Sequence, residues 1–376
     1  MKIAVVGGGS IGSMAAWQLS CAGHEVVIFD RFAAPNSLTA HSGESRLLRS
    51  IPYLEKAAGD RAILADAGAL WAQLEYEAGK FFVARSGGLI IGEAEDPQLV
   101  EAARLARVRD GSDAVLDAGQ LAARFPQLAR AVEGELAVFD REGGLIDPQR
   151  AVEAALDAAC RTGADLRTHD RVLDISETRG GVRVRSERSD IDVDAAVVAS
   201  GAYLPELLPA LPVRVRRLLL GWFSPEAGKE HLRECPSFVW DSAAGFVYGG
   251  PSSDGRTFKI GTDAPRGDAD DAANTHARHV TENDARAMTE VVARMLPWLD
   301  ATSGRFEMHL DGWTPDQHGI LGLVPGAERI FAAGGFSGHG FKIAPVLGRI
   351  VALLVCGHSP GYDIGHLSPS RFASRA

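Results

Sequence analysis

The stretch that decides the fold lies at residues 3–12 and reads IAVVGGGSIG. The apolar run before Gly7 has the length and the β-branched content of a buried parallel strand. Gly7, Gly9 and Gly12 then match the pattern G-x-G-x-x-G. In this pattern the first glycine makes a tight turn, the second lets the backbone approach a pyrophosphate, and the third lets helix and strand pack closely. The sequence therefore predicts a strand, a turn and a helix that together hold a dinucleotide.

The residues that follow the glycines complete a βαβ unit. A helix is predicted over 11–22, Gly23 ends it, and a second buried strand over 26–29 leads to Asp30. Asp30 has the spacing expected for a carboxylate that accepts hydrogen bonds from ribose hydroxyls, and it would repel the 2′-phosphate of NADP. The alternative is a glycine-rich turn in an ordinary α/β domain without a ligand.

Composition limits the possible classes of protein. The chain has 376 residues, 46% of them apolar, which is typical of a soluble globular protein of about two domains. Its formal net charge of -10 argues against nucleic acid or anionic membranes as partners. No signal peptide or membrane span is recognisable. The four cysteines are far apart and show no metal-ligand spacing, so we expect reduced thiols, no metal site and a cytoplasmic location.

The rest of the chain divides into an α/β part and a β-rich part. Helices are predicted over 60–78, 148–162 and 277–296, and strands over 193–199 and through much of 213–262. Because the two ends of the chain look like one α/β unit, we expect a discontinuous arrangement without a flexible linker. The prediction is an α/β protein in which a Rossmann-like FAD-binding domain (1–80, 145–212 and 315–376) carries a β-rich substrate domain with a mixed or antiparallel sheet (81–144 and 213–314).

A second glycine-rich segment favours FAD over NAD. It reads GGFSGHGFK at residues 334–342 and precedes a long apolar helix over 341–356. An extended FAD needs contacts from distant parts of one chain, which suits glycine-rich segments near both ends. Glycines let the backbone lie against a flavin ring, and the start of the helix would place its positive end near the edge of the ring that gains negative charge on reduction. The alternative is a glycine-rich helix start without a ligand.

With these segments, the chain resembles the D-amino-acid oxidase-like flavoproteins, and within them the group of monomeric sarcosine oxidase and N-methyltryptophan oxidase. The resemblance covers essentially the whole length and is strongest over 4–30, 43–49, 248–259 and 313–342. It implies FAD as the cofactor. Besides the three glycines and Asp30, it implies that the cofactor contacts Ser10, Ile11, Arg31, Ser42, Arg46, Val172, Ser200, Gly201, Gly335, Phe336, Ser337, Gly338, His339, Gly340 and Lys342.

The resemblance also implies roles at the substrate. Arg49 and Lys342 would bind a substrate carboxylate, for which the planar fork of arginine is well suited. Lys259 would lie over the flavin and activate oxygen, since a cation stabilises developing superoxide. Tyr248 matches an active-site tyrosine. The alternatives are surface cations for Arg49 and Lys342, an edge-strand lysine for Lys259, and an aromatic core residue for Tyr248.

Two positions depart from the family pattern. His309 stands where the family has a cysteine bonded to the flavin, so we expect FAD held without that bond. A histidyl link and an ordinary core histidine are the alternatives. Asp263 stands where the family has a histidine of the catalytic pocket. Ser42 stands at a position where the family often has a histidine. Asp263 could attract an ammonium group, accept a proton, or pair with Lys259. These departures leave the substrate open.

The function implied is an FAD-dependent amine or amino-acid oxidase. Such an enzyme oxidises a C–N bond of a small, carboxylate-bearing secondary or cyclic amine to an imine and reduces O2 to H2O2. The first alternative is an FAD-dependent dehydrogenase of an amino acid or 2-hydroxy acid with another electron acceptor. The second is a flavin-binding protein without turnover. We expect a monomer or small homo-oligomer, with the small amine and O2 as its partners.

Overall fold

The computed structural model describes residues 1–55, 57–128, 134–228, 235–253, 255–262, 267–269 and 278–375. The helices in this part of the chain are α1 (Ser10–Cys21), α2 (Ala58–Ala78), α3 (Pro97–Asp110), α4 (Ala118–Arg124), α5 (Pro148–Arg161), α6 (Leu204–Leu207), α7 (Glu282–Met295) and α8 (Ala344–Val355). The strands are β1 (Lys2–Val6), β2 (Glu25–Phe29), β3 (Arg46–Leu48), β4 (Val83–Ala84), β5 (Gly88–Glu93), β6 (Val115–Asp117), β7 (Glu135–Asp140), β8 (Gly144–Ile146), β9 (Asp165–Arg167), β10 (Val172–Thr178), β11 (Gly181–Ser186), β12 (Asp190–Val193), β13 (Ala195–Val198), β14 (Arg214–Phe223), β15 (Ser237–Ser242), β16 (Gly245–Pro251), β17 (Phe258–Thr262), β18 (Asp268–Ala269), β19 (Arg305–Trp313), β20 (Ile320–Leu323) and β21 (Ile330–Gly334).

The first sheet is the predicted dinucleotide sheet. Its order is β20-β21-β13-β1-β2-β9, and all neighbours run parallel except β20, which is antiparallel to β21. The strands are almost wholly buried, as expected of a parallel sheet covered on both faces. The carboxyl ends of β1, β2, β13 and β21 therefore meet along one edge, where doubly wound sheets bind their ligands.

The second sheet is mixed, as the sequence predicts. Its order is β18-β14-β17-β16-β15-β5-β7-β6, and β19 also pairs with β14. The pair β15 and β5 is parallel and the other neighbours are antiparallel. All strands of the first sheet lie within the segments assigned to the FAD-binding domain, and all strands of the second lie within the remaining segments. The domain limits themselves stay a prediction.

Helices α1, α5 and α8 cover one face of the first sheet. Their buried residues share one large apolar core with β1, β2, β13 and β21. Glycines allow this close packing, because a Cβ on Gly348 of α8 would lie 2.5 Å from the side chain of Met14 on α1. This core fixes the start of α1, and with it the glycine turn, against the edge of the sheet. No helix in the described ranges is long and apolar enough to cross a bilayer.

Three details of the predicted secondary structure are wrong. The strand predicted over 193–199 is split at Asp194, whose side chain accepts a hydrogen bond from the Lys2 N–H, so that β12 and β13 join different sheets. The helix predicted from residue 277 begins at Glu282, because Thr281 forms a capping box with Asp284. The helix predicted from residue 341 opens with a 3-10 turn, and α8 starts at Ala344.

Candidate functional site

A cavity of about 510 Å³ opens along the edge of the first sheet and continues over a face of the second. Its first end is lined by backbone and small side chains from the glycine turn, from the residues after β2 and β13, and from the loop after β21. Its second end is lined by residues of β14, β16, β17 and β19 and by Arg46, Leu47, Arg49 and Leu54. An elongated ligand can therefore contact both sheets.

The glycine turn has the geometry that the sequence predicts. Gly7 has φ +108°, and a Cβ there would lie 2.5 Å from the Ala199 carbonyl oxygen. A Cβ on Gly12 would lie 1.8 Å from the Gly7 carbonyl oxygen, so Gly12 lets α1 lie directly against the turn. Gly9 and the first residues of α1 line the cavity and leave their N–H groups at its wall. The turn is thus an anion-binding cradle made of backbone.

Polar groups beside this turn suit a nucleotide. Asp30 is buried and accepts hydrogen bonds from the Gly8 N–H at 2.8 Å and the Phe32 N–H at 2.9 Å. Burial raises the pKa of Asp30, and these two N–H groups oppose the rise. The hydrogen bonds therefore stabilise the ionised form of Asp30 at the cavity wall. Ser200, after β13, has a buried hydroxyl without a hydrogen-bond partner in the described part of the chain. A ligand in the cavity can satisfy it.

The loop after β21 forms the wall where the two ends of the cavity meet. Residues 333–342 all line the cavity. The Ser337 N–H donates to the Gly312 carbonyl at 3.1 Å, and the Thr314 N–H donates to the Ser337 hydroxyl at 3.3 Å, which fixes the loop against β19. His339 is also on this wall, and burial lowers its pKa to about 4, with Lys342 adding to the effect. At neutral pH His339 is therefore an uncharged group.

Two buried cations lie where the cavity crosses from the first sheet to the second. Arg46 donates to the carbonyls of Ala40 at 2.8 Å and Ser42 at 2.5 Å, and burial lowers its pKa to about 10. Lys259 on β17 is 4% exposed and donates to the carbonyls of Ser45 and Gly43. Burial, followed by the charge of Arg46, lowers the pKa of Lys259 well below its usual value. Because β17 pairs with β14 and β16, the alternative of an edge-strand lysine is wrong.

At the second end of the cavity, two lining cations pair with the buried carboxylate of Glu55, which lies behind the wall. Arg49 donates to Glu55 with 3.0 Å between Nη2 and Oε1, and Lys342 approaches the same oxygen at 3.2 Å. Arg49 also donates to the Tyr53 carbonyl at 2.6 Å, and the Tyr53 N–H donates to Glu55 at 2.6 Å. Arg49 and Lys342 line the cavity. Neither is a surface cation, because both are less than a tenth exposed.

The carboxylate of Glu55 is held in its ionised form. Burial favours the neutral acid, but Arg49 and Lys342 outweigh burial and lower the pKa of Glu55 to about 2. Burial also lowers the pKa of Lys342 to about 8, with Arg49 adding to that effect and Glu55 opposing it. The two cations thus form a site for one carboxylate, and here the carboxylate of the chain itself occupies it. Sequence reasoning missed Glu55, whose signal would have been an acidic residue close behind Arg49.

His309 lies behind the wall of the cavity. Its Nδ1 is 2.9 Å from the Ser42 hydroxyl, and its Nε2 is 3.6 Å from a carboxylate oxygen of Glu307, beyond hydrogen-bond distance. Burial lowers the pKa of His309, with Glu307 opposing the change. Ser42 and His309 both depart from the family pattern. They are hydrogen-bonded to each other.

The structure brings most of the predicted site residues to this one cavity. Of the predicted site residues, Gly12, Ser42 and His309 lie behind its wall, and Asp263 is outside the described residues. Tyr248 lines the cavity and also packs against the apolar core beneath it, and its role in an active site stays a prediction. The predicted residues that line the cavity are Gly7, Gly9, Ser10, Ile11, Asp30, Arg31, Arg46, Arg49, Val172, Ser200, Gly201, Tyr248, Lys259, Gly335, Phe336, Ser337, Gly338, His339, Gly340 and Lys342.

Other residues of the cavity wall were not predicted. His41 is buried and stacked on Phe341 with 5.7 Å between ring centroids, and burial lowers its pKa to about 3. Burial raises the pKa of the Asp311 carboxyl to about 6, although hydrogen bonds from the N–H groups of Gly312 and Gly338 act to lower it. Asp311 is two residues after His309 on β19, so strand alternation could have placed it on the same face.

Comparisons with known proteins agree with this geometry. The family described as DAO: FAD dependent oxidoreductase matches residues 2–354. Monomeric sarcosine oxidase of Streptomyces avermitilis is 31% identical over 99% of this chain and 98% of its own length. N-methyl-L-tryptophan oxidase of Salmonella heidelberg is 26% identical over 98% of both chains. The crystal structure of L-proline dehydrogenase from P. horikoshii superposes with a TM-score of 0.82 at 20% identity, covering 100% of this chain and 98% of that one.

The fold and the cavity define a flavin-dependent oxidoreductase. The chain belongs to the DAO family of FAD-dependent oxidoreductases, since the family match covers nearly its whole length. FAD is accordingly its cofactor. The cavity fits that group, because Gly7 and Gly12 leave room where a Cβ would clash, Asp30 is fixed at the sheet edge, and Ser200, whose buried hydroxyl has no hydrogen-bond partner among the described residues, lines the cavity.

Proposed function

We propose that the protein oxidises the C–N bond of a small secondary or cyclic amine that carries a carboxylate. In the reaction, the C–N unit loses two protons and two electrons, one hydrogen leaving the carbon and one the nitrogen, which gives an imine, and O2 takes up two protons and two electrons to become H2O2. When bound, FAD supplies the electron acceptor for this oxidation. The named activities of the sarcosine and N-methyl-L-tryptophan oxidases, which this chain resembles over nearly all of its length, support the same class of substrate.

One observation carries the proposal, namely the carboxylate of Glu55 between Arg49 and Lys342. The carboxylate of Glu55 stands in for that of the substrate. A pair of buried cations costs several kcal/mol of desolvation unless an anion compensates them. The site is therefore selective for carboxylates, because its two buried cations require an anion. A substrate carboxylate enters the site by displacing Glu55.

The remaining residues orient the substrate and handle charge. Arg49 and Lys342 fix one end of the substrate, so that the amine points along the cavity toward Lys259 and the loop after β21. Tyr248 and Val239 line the wall on the substrate side and exclude water from the amine. We assign Lys259 to the reaction with O2, because a partly desolvated cation would stabilise negative charge that develops on oxygen.

We also propose that FAD is held without a covalent bond to the chain. His309 would be the residue to form a link, but its Nδ1 is bonded to Ser42 and its ring does not line the cavity. Acid precipitation tests this proposal, since free flavin stays in the supernatant and linked flavin precipitates with the protein. The cytoplasmic location, the monomeric or small homo-oligomeric state and a role for Asp263 stay predictions.

The test of the proposed function is a comparison of matched substrates. The purified flavoprotein is mixed anaerobically with sarcosine or proline, and with dimethylamine or pyrrolidine, which lack the carboxylate. We expect carboxylate-bearing amines to bleach the flavin absorbance and to release H2O2 in air, and their partners to do neither. Bleaching by the partners with equal efficiency would contradict the carboxylate site. Bleaching without H2O2 in air would favour the dehydrogenase, and no bleaching by any amine would favour a protein without turnover.

The variant Glu55→Gln tests whether the substrate carboxylate displaces Glu55. The amide keeps an acceptor for Arg49 but removes the competing charge, so we expect KM for the carboxylate substrate to fall by about tenfold, because a hydrogen bond to a charged group contributes about 1.5–3 kcal/mol. An unchanged or higher KM in a variant that still folds and retains FAD would contradict displacement of Glu55.

A further inference from the structure

Outside the cavity, two histidines and one carboxylate converge on the surface. Asp60 belongs to the first turn of α2, His318 to the turn between β19 and β20, and His366 to a 3-10 turn after α8. The potential ligand atoms of these three residues all lie within 4.8 Å of one another. No spacing in the sequence predicts this cluster, because its members come from three distant segments.

The separations of these atoms match the needs of a small metal ion. His366 Nε2 is 2.7 Å from Asp60 Oδ1, and His318 Nδ1 is 3.8 Å from Asp60 Oδ2. Two ligands that each lie about 2 Å from one tetrahedral ion are roughly 3.3 Å apart. One separation is shorter than this value and the other is longer, so modest side-chain rotations bring all three groups to a common centre.

The backbone around the cluster is held firmly. The His318 carbonyl accepts hydrogen bonds from the Thr314 hydroxyl and from Arg371, and the His318 N–H donates to Asp316. A Cβ on Gly59 would lie 1.9 Å from the Asp363 carbonyl oxygen, so the start of α2 and the turn that carries His366 are in direct contact. A site on such a base is largely preformed and loses little conformational entropy on binding.

We propose that Asp60, His318 and His366 bind a divalent transition-metal ion of the Zn²⁺ class. Two imidazoles and one carboxylate suit zinc, nickel or cobalt, and they disfavour Mg²⁺ and Ca²⁺, which prefer oxygen ligands. The three side chains are between 16% and 25% exposed, so an ion can enter from solvent and keep water in its remaining positions. The bound ion would tie Asp60 in the first turn of α2, five residues beyond Glu55, to the chain after α8.

The test is a titration of the EDTA-treated, tag-free holoenzyme with ZnCl2 in a calorimeter. We expect one ion per chain and a rise in the thermal midpoint, since a ligand that binds the folded state stabilises it. The variants His318→Ala and His366→Ala should each weaken zinc binding by at least about tenfold, because each loses one of three protein ligands. His358→Ala, an exposed histidine of the same tail, is the matched control and should bind as the wild type does.

A second variant and a second measurement guard against loss of folding. Asp60→Asn keeps an acceptor for His366 but loses the charge, and we expect it to fold normally and to bind zinc at least about tenfold more weakly. Crystals soaked in ZnCl2 should show an anomalous peak among the three residues. No saturable binding, equal binding of Mg²⁺, or zinc binding that survives all three substitutions would each overturn the proposal.

Discussion

The two ends of the cavity solve the same problem of binding negative charge by different means. The cofactor end uses backbone N–H groups at the start of α1, where a Cβ on Gly12 would lie 1.8 Å from the Gly7 carbonyl oxygen. The substrate end uses the full charges of Arg49 and Lys342, which are compensated by Glu55. The packing at Gly12 leaves the first end no room to change shape, whereas the second end, under the proposed function, exchanges one carboxylate for another. FAD, which stays bound, therefore has the rigid site. The substrate, which enters and leaves, would have the site that can change.

The strongest test of the rigid end is Gly12→Ala. A methyl group there meets backbone, which cannot rotate away, so we expect a purified protein with no bound FAD, or no folded protein. The measurement is the ratio of flavin to protein absorbance.

Gly68→Ala is the control for this change. Gly68 lies in α2 with open space around it, and alanine there should leave the flavin content unchanged and raise stability by up to about 1 kcal/mol. Full flavin occupancy in Gly12→Ala would show that close packing at the turn is not required.

The second end of the cavity, where Arg49 and Lys342 pair with Glu55, is the exchangeable end. Arg49→Gln tests this end. This substitution removes one partner of the buried Glu55, so we expect stability to fall by about 3 kcal/mol. We also expect kcat/KM for a carboxylate-bearing amine to fall by roughly 10²- to 10³-fold. Denaturant unfolding and steady-state kinetics measure the two effects.

The double variant Arg49→Gln/Glu55→Gln separates stability from function. It should regain part of the lost stability, because Glu55 no longer lacks Arg49 although Lys342 then loses its anion, and it should stay nearly inactive toward carboxylates. Recovery of both properties would mean that the pair serves packing and not substrate binding.

Between the two ends lies Lys259, and Lys259→Met tests whether its charge serves oxygen. We expect the reaction of the reduced enzyme with O2 to slow by about 10²-fold, with anaerobic reduction by substrate nearly unchanged, because the cation would stabilise charge that develops on oxygen. Stopped-flow absorbance follows each half-reaction. Lys80→Met, at the partly exposed end of α2, is the control. Equal slowing of both half-reactions would remove the oxygen role.

The smallest effect concerns pH at the exchangeable end. The pKa of Lys342 is about 8, so the ammonium is present below pH 8 and is lost as the pH rises above it. The dissociation constant of an amine-free carboxylate such as propionate should therefore rise by about tenfold between pH 7 and 9.5, since one charge-assisted hydrogen bond is lost. Perturbation of the flavin spectrum reports the binding. Lys342→Met should show weak binding without this pH dependence, and a flat profile in the wild type would contradict the assignment.

The rigid end was predictable from sequence because its determinants are local. Gly7, Gly9 and Gly12 act within one turn, and Asp30 ends the next strand, so spacing alone defined their geometry. The capping box at Thr281 is also local, and it starts α7 at Glu282 instead of the predicted residue 277. The change of sheet at Asp194 depends on a bond to Lys2 at the other end of the domain, which no local pattern contains.

The exchangeable end was predictable only in part. Resemblance to a family placed Arg49, Lys342 and Lys259 in one pocket, and the structure brings them to one cavity. It could not indicate that Glu55 compensates the cations, because this depends on the path of the loop after β3. The cluster of Asp60, His318 and His366 depends likewise on three segments that meet only in the folded chain.

The order of strands in the first sheet has a consequence for biosynthesis. β1 leaves the ribosome first, yet its neighbour β13 begins only at residue 195, and β21 beyond it begins at residue 330. At translation rates of about 5–20 residues per second, β1 waits roughly ten seconds or more for that neighbour. The nascent chain therefore exposes an unpaired apolar edge on β1 until β13 has been made, and FAD can join only after β21 has been made. Cells that express the protein under riboflavin limitation should accordingly accumulate a full-length, aggregation-prone apoprotein, not shortened fragments.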